Sequence, residues 1–119
     1  MRIASPVART GEEIAVNFLK KLGYKIIDRN FRARNTELDI VAVHKNILVF
    51  VEVKTRTSNA YGTPFEQIAY WKLKSLVKAA EHYKISHSNL PEGMRIDAIS
   101  VLLGSKAPEV EHIQNISGF

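Results

Sequence analysis

Two short acidic segments carry the chemistry open to this sequence: Glu37-Leu38-Asp39 and, further along, Glu52-Val53-Lys54. Side chains two apart in a strand leave on the same face, so Glu37 joins Asp39 and Glu52 joins Lys54. The residues between are rich in Val and Ile and are interrupted only at Lys45-Asn46, which reads as the turn of a hairpin. With symmetric pairing about that turn, Asp39 faces Glu52 and Glu37 faces Lys54; a bulge or an odd loop would undo this register. Two carboxylates facing each other at about 5 Å between Cβ atoms repel. A hard divalent cation between them removes the repulsion, and Mg²⁺ favours one or two carboxylates together with carbonyl, water and phosphate oxygens. An ammonium beside it stands where charge grows on a phosphate under attack. Such a set suits hydrolysis of a phosphodiester. The competing reading is ordinary alternating charge on a half-exposed sheet. Against it, Ile47–Val51 is apolar on both faces, so the side that Glu52 shares with Phe50 must be covered.

Positioning these groups falls to a small set of elements. A helix is expected over Gly11–Leu22, with Thr10 and Glu13 at capping-box spacing, an apolar face of Ile14, Ala15, Phe18, Leu19 and Leu22, and Gly23 to end it. Tyr24–Arg29 reads as a strand, Asn30–Asn35 as a polar loop, and Glu37–Val43 and Ile47–Arg56 as the central strands. After a loop over Thr57–Thr63, a second helix begins with Thr63, Pro64 and Glu66 and runs to Tyr83. Its apolar stripe is Leu73, Leu76, Val77, Ala80 and Tyr83. Ile85–Gly93 is a polar connection, Met94–Leu103 a strand, and Val110–Ile116 a short final one. The order α-β-β-β-α-β-(β) predicts an α/β fold, a mixed β-sheet flanked by helices.

Composition narrows the function. The 119 residues fit a single domain, 1–119, and carry a formal charge of +5, which points to an anionic partner such as nucleic acid. There is no cysteine, which excludes disulfides, thiolate metal sites and a thiol nucleophile. The four histidines lack metal-ligand spacing, and neither a Walker A loop nor a Gly-x-Gly-x-x-Gly turn is present. No segment is long and apolar enough to span a membrane, and Met1–Thr10 lacks the core of a secretory signal, so a cytoplasmic protein is expected.

Asp39…Glu52-Val53-Lys54 resembles the PD-(D/E)xK signature of restriction-endonuclease-like nucleases. More closely, the chain resembles the small bacterial YraN family of uncharacterised function. The matching pieces are Gly11-Glu12-Glu13-Ile14-Ala15, Leu22-Gly23-Tyr24, Arg29-Asn30-Phe31-Arg32, Glu37-Leu38-Asp39-Ile40-Val41, Phe50-Val51-Glu52-Val53-Lys54-Thr55-Arg56, Lys72 and Arg95-Ile96-Asp97, in order along most of the chain. Thr36 and Ile96 depart from the usual Gly and Phe of that pattern. The resemblance implies a restriction-endonuclease-like fold similar to that of archaeal Holliday-junction resolvases. It makes Asp39, Glu52 and the Val53 carbonyl ligands of Mg²⁺ or Mn²⁺ and Lys54 the catalytic lysine. It matches Glu12 to an acidic residue brought to the site by the opening helix. It implies a nuclease acting on nucleic acid, DNA ahead of RNA, of branched or flapped structure, and a homodimer by analogy with resolvases.

Other residues take lesser roles. Arg56, Lys72, Arg32 and Arg34, with Arg29, Lys74 and Lys78, are candidate phosphate contacts around the site. Ordinary solvated charge is the favoured reading for any one of the rim residues, and the resemblance makes Lys72 the exception. Glu37 is open between an ion pair with Lys54 and metal ligation, and Asp97 is expected to be a buried carboxylate supporting Arg95. Tyr61, Phe65, Tyr70 and Trp71 offer aromatic surface for bases, a core or a dimer contact. Two other functions fit the same features: a nucleic-acid-binding or scaffolding protein that keeps the nuclease fold without cleaving, and a protein-interaction module with a vestigial acidic pocket.

Overall fold

The computed structural model describes residues 5–57, 70–104 and 106–117. Helix α1 (Pro6–Lys21) begins at Ser5, whose hydroxyl accepts from the Ala8 N–H at 3.1 Å, with Pro6 in the first turn. The expected Thr10–Glu13 capping box does not form, because Ser5-Pro6 starts the helix earlier; Thr10 lies inside it and donates to the Pro6 carbonyl. At the other end Gly23 takes φ 89°, and the Gly23 and Tyr24 N–H groups close onto the carbonyls of Lys20 and Leu19, a Schellman cap.

Strand β1 (Lys25–Ala33) pairs antiparallel with β2 (Thr36–His44). The segment Asn30–Ala33, expected as loop, is therefore strand, and only Arg34-Asn35 turns. Phe31 packs against, and Ala33 belongs to, the same apolar core, so the alternation continues beneath the polar residues. Strand β3 (Ile47–Arg56) follows through Lys45-Asn46, with φ 49° and 61°. Two left-handed residues make a type I′ turn, whose twist suits a two-residue hairpin. The register runs from His44↔Ile47 to Ile40↔Val51, as symmetric pairing about the turn requires. Asp39 and Glu52 stand one step beyond the last paired residues.

After helix α2 (Tyr70–Ser86), strand β4 (Gly93–Leu102) pairs parallel with β3, and β5 (Glu109–Ile113) pairs antiparallel with β4. The sheet order is β1-β2-β3-β4-β5, a mixed sheet in the element order α-β-β-β-α-β-β. The proposed start of the second helix at Thr63, Pro64 and Glu66 lies outside the described residues, as do Tyr61 and Phe65. Among the described residues, no helix is long and apolar enough to cross a membrane.

Each helix covers one side of the sheet. Ala15, Val16 and Leu19 of α1 close over Ile40, Ala42, Val49, Val51, Ile99 and Val101. Leu76, Ala79, Ala80 and Tyr83 of α2 close over Leu38, Val41, Leu48, Phe50 and Ile96. Leu38 and Ile40, two apart, thus lie under different helices. Strict alternation breaks between Leu38 and Ile40, and the register with β1 shifts between Ile26 and Asp28.

Asp97 on β4 is fully buried, as expected of a supporting carboxylate. It accepts from Arg95 Nε at 2.9 Å and from the Asn115 N–H at 2.8 Å, and meets His112 Nε2 at 2.9 Å. Burial alone would raise its pKa, but these partners hold it below the usual carboxylate range. Arg95 also donates to the Tyr24 hydroxyl at 2.8 Å, so the cluster ties β4, β5 and the end of α1 together.

Candidate active site

Where β2 and β3 part, a hollow of about 830 Å³ opens between the start of α1, the sheet and the start of α2. Glu12, Asn30, Glu37, Asp39, Glu52, Val53, Lys54 and Lys72 are among its lining residues. Glu12, Glu37 and Asp39 each offer a carboxylate oxygen within 4.8 Å of the other two. Asp39 accepts the Val53 N–H at 2.9 Å. In an extended strand a residue's N–H and C=O leave along the same edge, so the Val53 carbonyl also leaves on the Asp39 side.

Electrostatics sets this cluster apart from ordinary surface charge. Burial, a hydrogen bond shared with Glu52 and the Glu52 charge push the Asp39 pKa up to about 9, against the opposing pull of the Val53 N–H. Burial and then Glu37 raise that of Glu12, while Arg29 works against them. Glu52 is buried, and its Oε2 has no hydrogen-bond partner; Lys72 Nζ stands 3.5 Å away. A buried carboxylate oxygen without a hydrogen bond costs about 1–3 kcal/mol or more. The fold therefore holds a carboxylate oxygen that has an ion-pair partner in Lys72 but no hydrogen-bond donor among the described residues. An all-oxygen donor set suits a hard cation, and among the described residues the carboxylates within reach of one another are those of Glu12, Glu37 and Asp39.

Lys54 lines the same hollow, and among the described residues it makes no ion pair. Glu37 does not pair with it as one reading expected; Glu37 instead takes a hydrogen bond from Asn30 Nδ2 at 3.4 Å. That amide also donates to Glu12 at 2.7 Å. Sequence reasoning missed Asn30 as a member of the site. Its signal was a residue tolerant of left-handed backbone within a strand, and it adopts φ 53°. Glu13 pairs with Arg29 at 3.0 Å rather than capping a helix.

The structure thus brings together Glu12, Asp39, Glu52, Val53, Lys54 and Lys72. Lys72 meets Glu52, so its ammonium balances a carboxylate. Arg56 ends β3, Arg32 is exposed on β1, and Arg34 sits in the β1–β2 turn; none of the three lines this hollow.

Gly11 sets how closely α1 approaches. A methyl group there would overlap the Thr55 side chain, next to Lys54 on β3. Because Glu12 follows directly, the close approach of Gly11 carries Glu12 to the site. Gly11→Ala is expected to cost about 1–3 kcal/mol of stability, read as a lowered denaturation midpoint, and to lower Mn²⁺ affinity as α1 shifts outward. Unchanged midpoint and affinity would refute this role.

Comparison with known proteins adds a family. A model described as "Uncharacterised protein family UPF0102" matches residues 11–101. A UPF0102 protein of Alkaliphilus oremlandii is 39% identical over 111 residues, covering 92% of this chain and 95% of its own. One of Geobacter metallireducens is 43% identical, covering 88% and 86%. One of an Arthrobacter strain is 40% identical, covering 98% and 99%.

Proposed function

The chain belongs to the uncharacterised protein family UPF0102, the YraN family, and we propose that it is a metal-dependent nuclease that hydrolyses phosphodiester bonds in DNA of branched or flapped structure. The observation that carries the reading is the meeting of half-buried Asp39 with buried Glu52, whose Oε2 accepts no hydrogen bond among the described residues, in the hollow that Lys54 also lines. The likeness of Asp39…Glu52-Val53-Lys54 to the PD-(D/E)xK signature supports the same conclusion.

Asp39, Glu52 and the Val53 carbonyl would hold Mg²⁺ or Mn²⁺, which supplies polarisation of a phosphate oxygen and an acidified water. The protein's own groups do the rest. Lys54 places a positive charge where the phosphate gathers negative charge, which favours the transition state over the ground state. Glu12, fixed by Asn30, orients the attacking water from the α1 side. Lys72, 3.5 Å from Glu52, offsets the charge of that carboxylate and competes with a cation for it.

The test is incubation with Mn²⁺ and a panel of junction, flap, single-stranded and duplex DNA, with Glu52→Ala beside the parent to exclude a contaminating nuclease. Cleavage of flapped or branched substrates is expected, abolished by a chelator and by Glu52→Ala. Binding without cleavage would replace the reading with that of a non-catalytic nucleic-acid-binding protein.

A further inference from the structure

A second hollow, of about 490 Å³, lies between the β1–β2 turn and the outer side of α2. Its walls continue those of the first. On the hairpin side Glu37 lines the first hollow and Thr36, Asn35 and Arg34 the second; on α2, Lys72 lines the first and Ser75, Lys78 and His82 the second. Both elements therefore pass from one hollow to the other.

Its chemistry differs from that of the first hollow. Arg34 and Lys78 are exposed, and among the described residues neither has an ion-pair partner. Asn35 and Thr36 add neutral donors. Among the described residues Glu81 is the one acid in the lining, against the two cations Arg34 and Lys78. Donors around an open hollow suit an oxyanion, and Arg and Lys hold phosphate without reading sequence. The six steps from Lys72 to Lys78 rise about 9 Å along the helix axis at 1.5 Å each. That rise exceeds the axial step of one base pair in a duplex, about 3.4 Å, so the second hollow lies beyond the nucleotide held in the first.

We propose that the Arg34–Lys78 hollow is a second phosphate hold, gripping the backbone of the cleaved strand at a phosphate beyond the cut. The inference rests on reading the first hollow as a nuclease site. It assigns Arg34 to a defined subsite and adds Lys78 to it.

The experiment uses a fluorescent flapped DNA in which single phosphates are replaced, one at a time, by uncharged methylphosphonate. Binding is measured in chelator across a salt series, and cleavage is measured in Mn²⁺. The double variant Arg34→Ala/Lys78→Ala should bind at least about tenfold more weakly, with the salt slope reduced by about 2. A methylphosphonate at one position beyond the cut should weaken the parent and leave the double variant unaffected. Glu81→Gln should move the other way and tighten binding. If the parent binds and cuts while the double variant keeps its affinity and slope, the second hold is wrong and the nuclease reading stands. A scan with no sensitive position beyond the cut overturns it in the same way. If the parent neither binds nor cuts, both fall together.

Discussion

Lys54→Ala is expected to lower single-turnover cleavage in saturating Mn²⁺ by about 10²–10³-fold, the usual loss when one preorganised stabiliser of transition-state charge is removed. Its Mn²⁺ affinity should stay near that of the parent, because Lys54 touches no carboxylate among the described residues. Glu52→Ala should lose more, at least about 10³-fold, because it removes metal affinity together with turnover. Calorimetric titration with Mn²⁺ separates the two variants. Lys72→Ala provides the opposing sign: its ammonium stands 3.5 Å from Glu52 Oε2, so removing it should tighten Mn²⁺ binding. If Lys54→Ala weakened Mn²⁺ binding as much as Glu52→Ala does, the lysine would be holding the carboxylates rather than meeting phosphate, and the assignment of roles would be wrong.

The core of this arrangement was legible in the sequence because strand geometry has few options. A symmetric Lys45-Asn46 turn fixes a register, and the paired residues from His44↔Ile47 to Ile40↔Val51 follow it. The register stops one step short of Asp39 and Glu52, and strand periodicity cannot foresee that gap. The break comes from irregular backbone: Asn30 in a left-handed conformation, and a β2 strand that switches faces between Leu38 and Ile40. It turns two facing strand positions into a pocket that α1 can also reach. Approach from α1 was legible only through resemblance, since nothing in the spacing of Glu12 says that Gly11 lies against Thr55. The helix start was misplaced for a related reason. Thr10 and Glu13 satisfy a capping pattern, but Ser5-Pro6 satisfies an equally good one earlier, and the extra turn adds contacts. Similarly, the polar surface of Asn30–Asn35 read as loop because Phe31 and Ala33 were too few to register as alternation.

The metal-free protein should lose stability as pH rises through the neutral range, the reverse of an ordinary ion-paired carboxylate. In the unfolded chain Asp39 ionises near 3.8, whereas in the folded protein its pKa stands at about 9. Between those values the folded state holds a proton that the unfolded state has released, so stability falls with pH, by at most about 1.4 kcal/mol per unit. Asp39→Asn carries no proton to lose, so its stability should be flatter over this range, and at pH 8 it should exceed that of the parent in chelator even though the variant cannot cleave. Mn²⁺ has to displace the same proton. Its affinity for the parent should therefore climb about tenfold per pH unit between roughly pH 6 and 8, with close to one proton released per ion bound. Calorimetry in buffers of different ionisation enthalpy reads that proton directly. Affinity that stays level with pH, with no proton released, would mean that Asp39 is already ionised in the folded protein, and the crowding of carboxylates that gives this site its appetite for a cation would not exist.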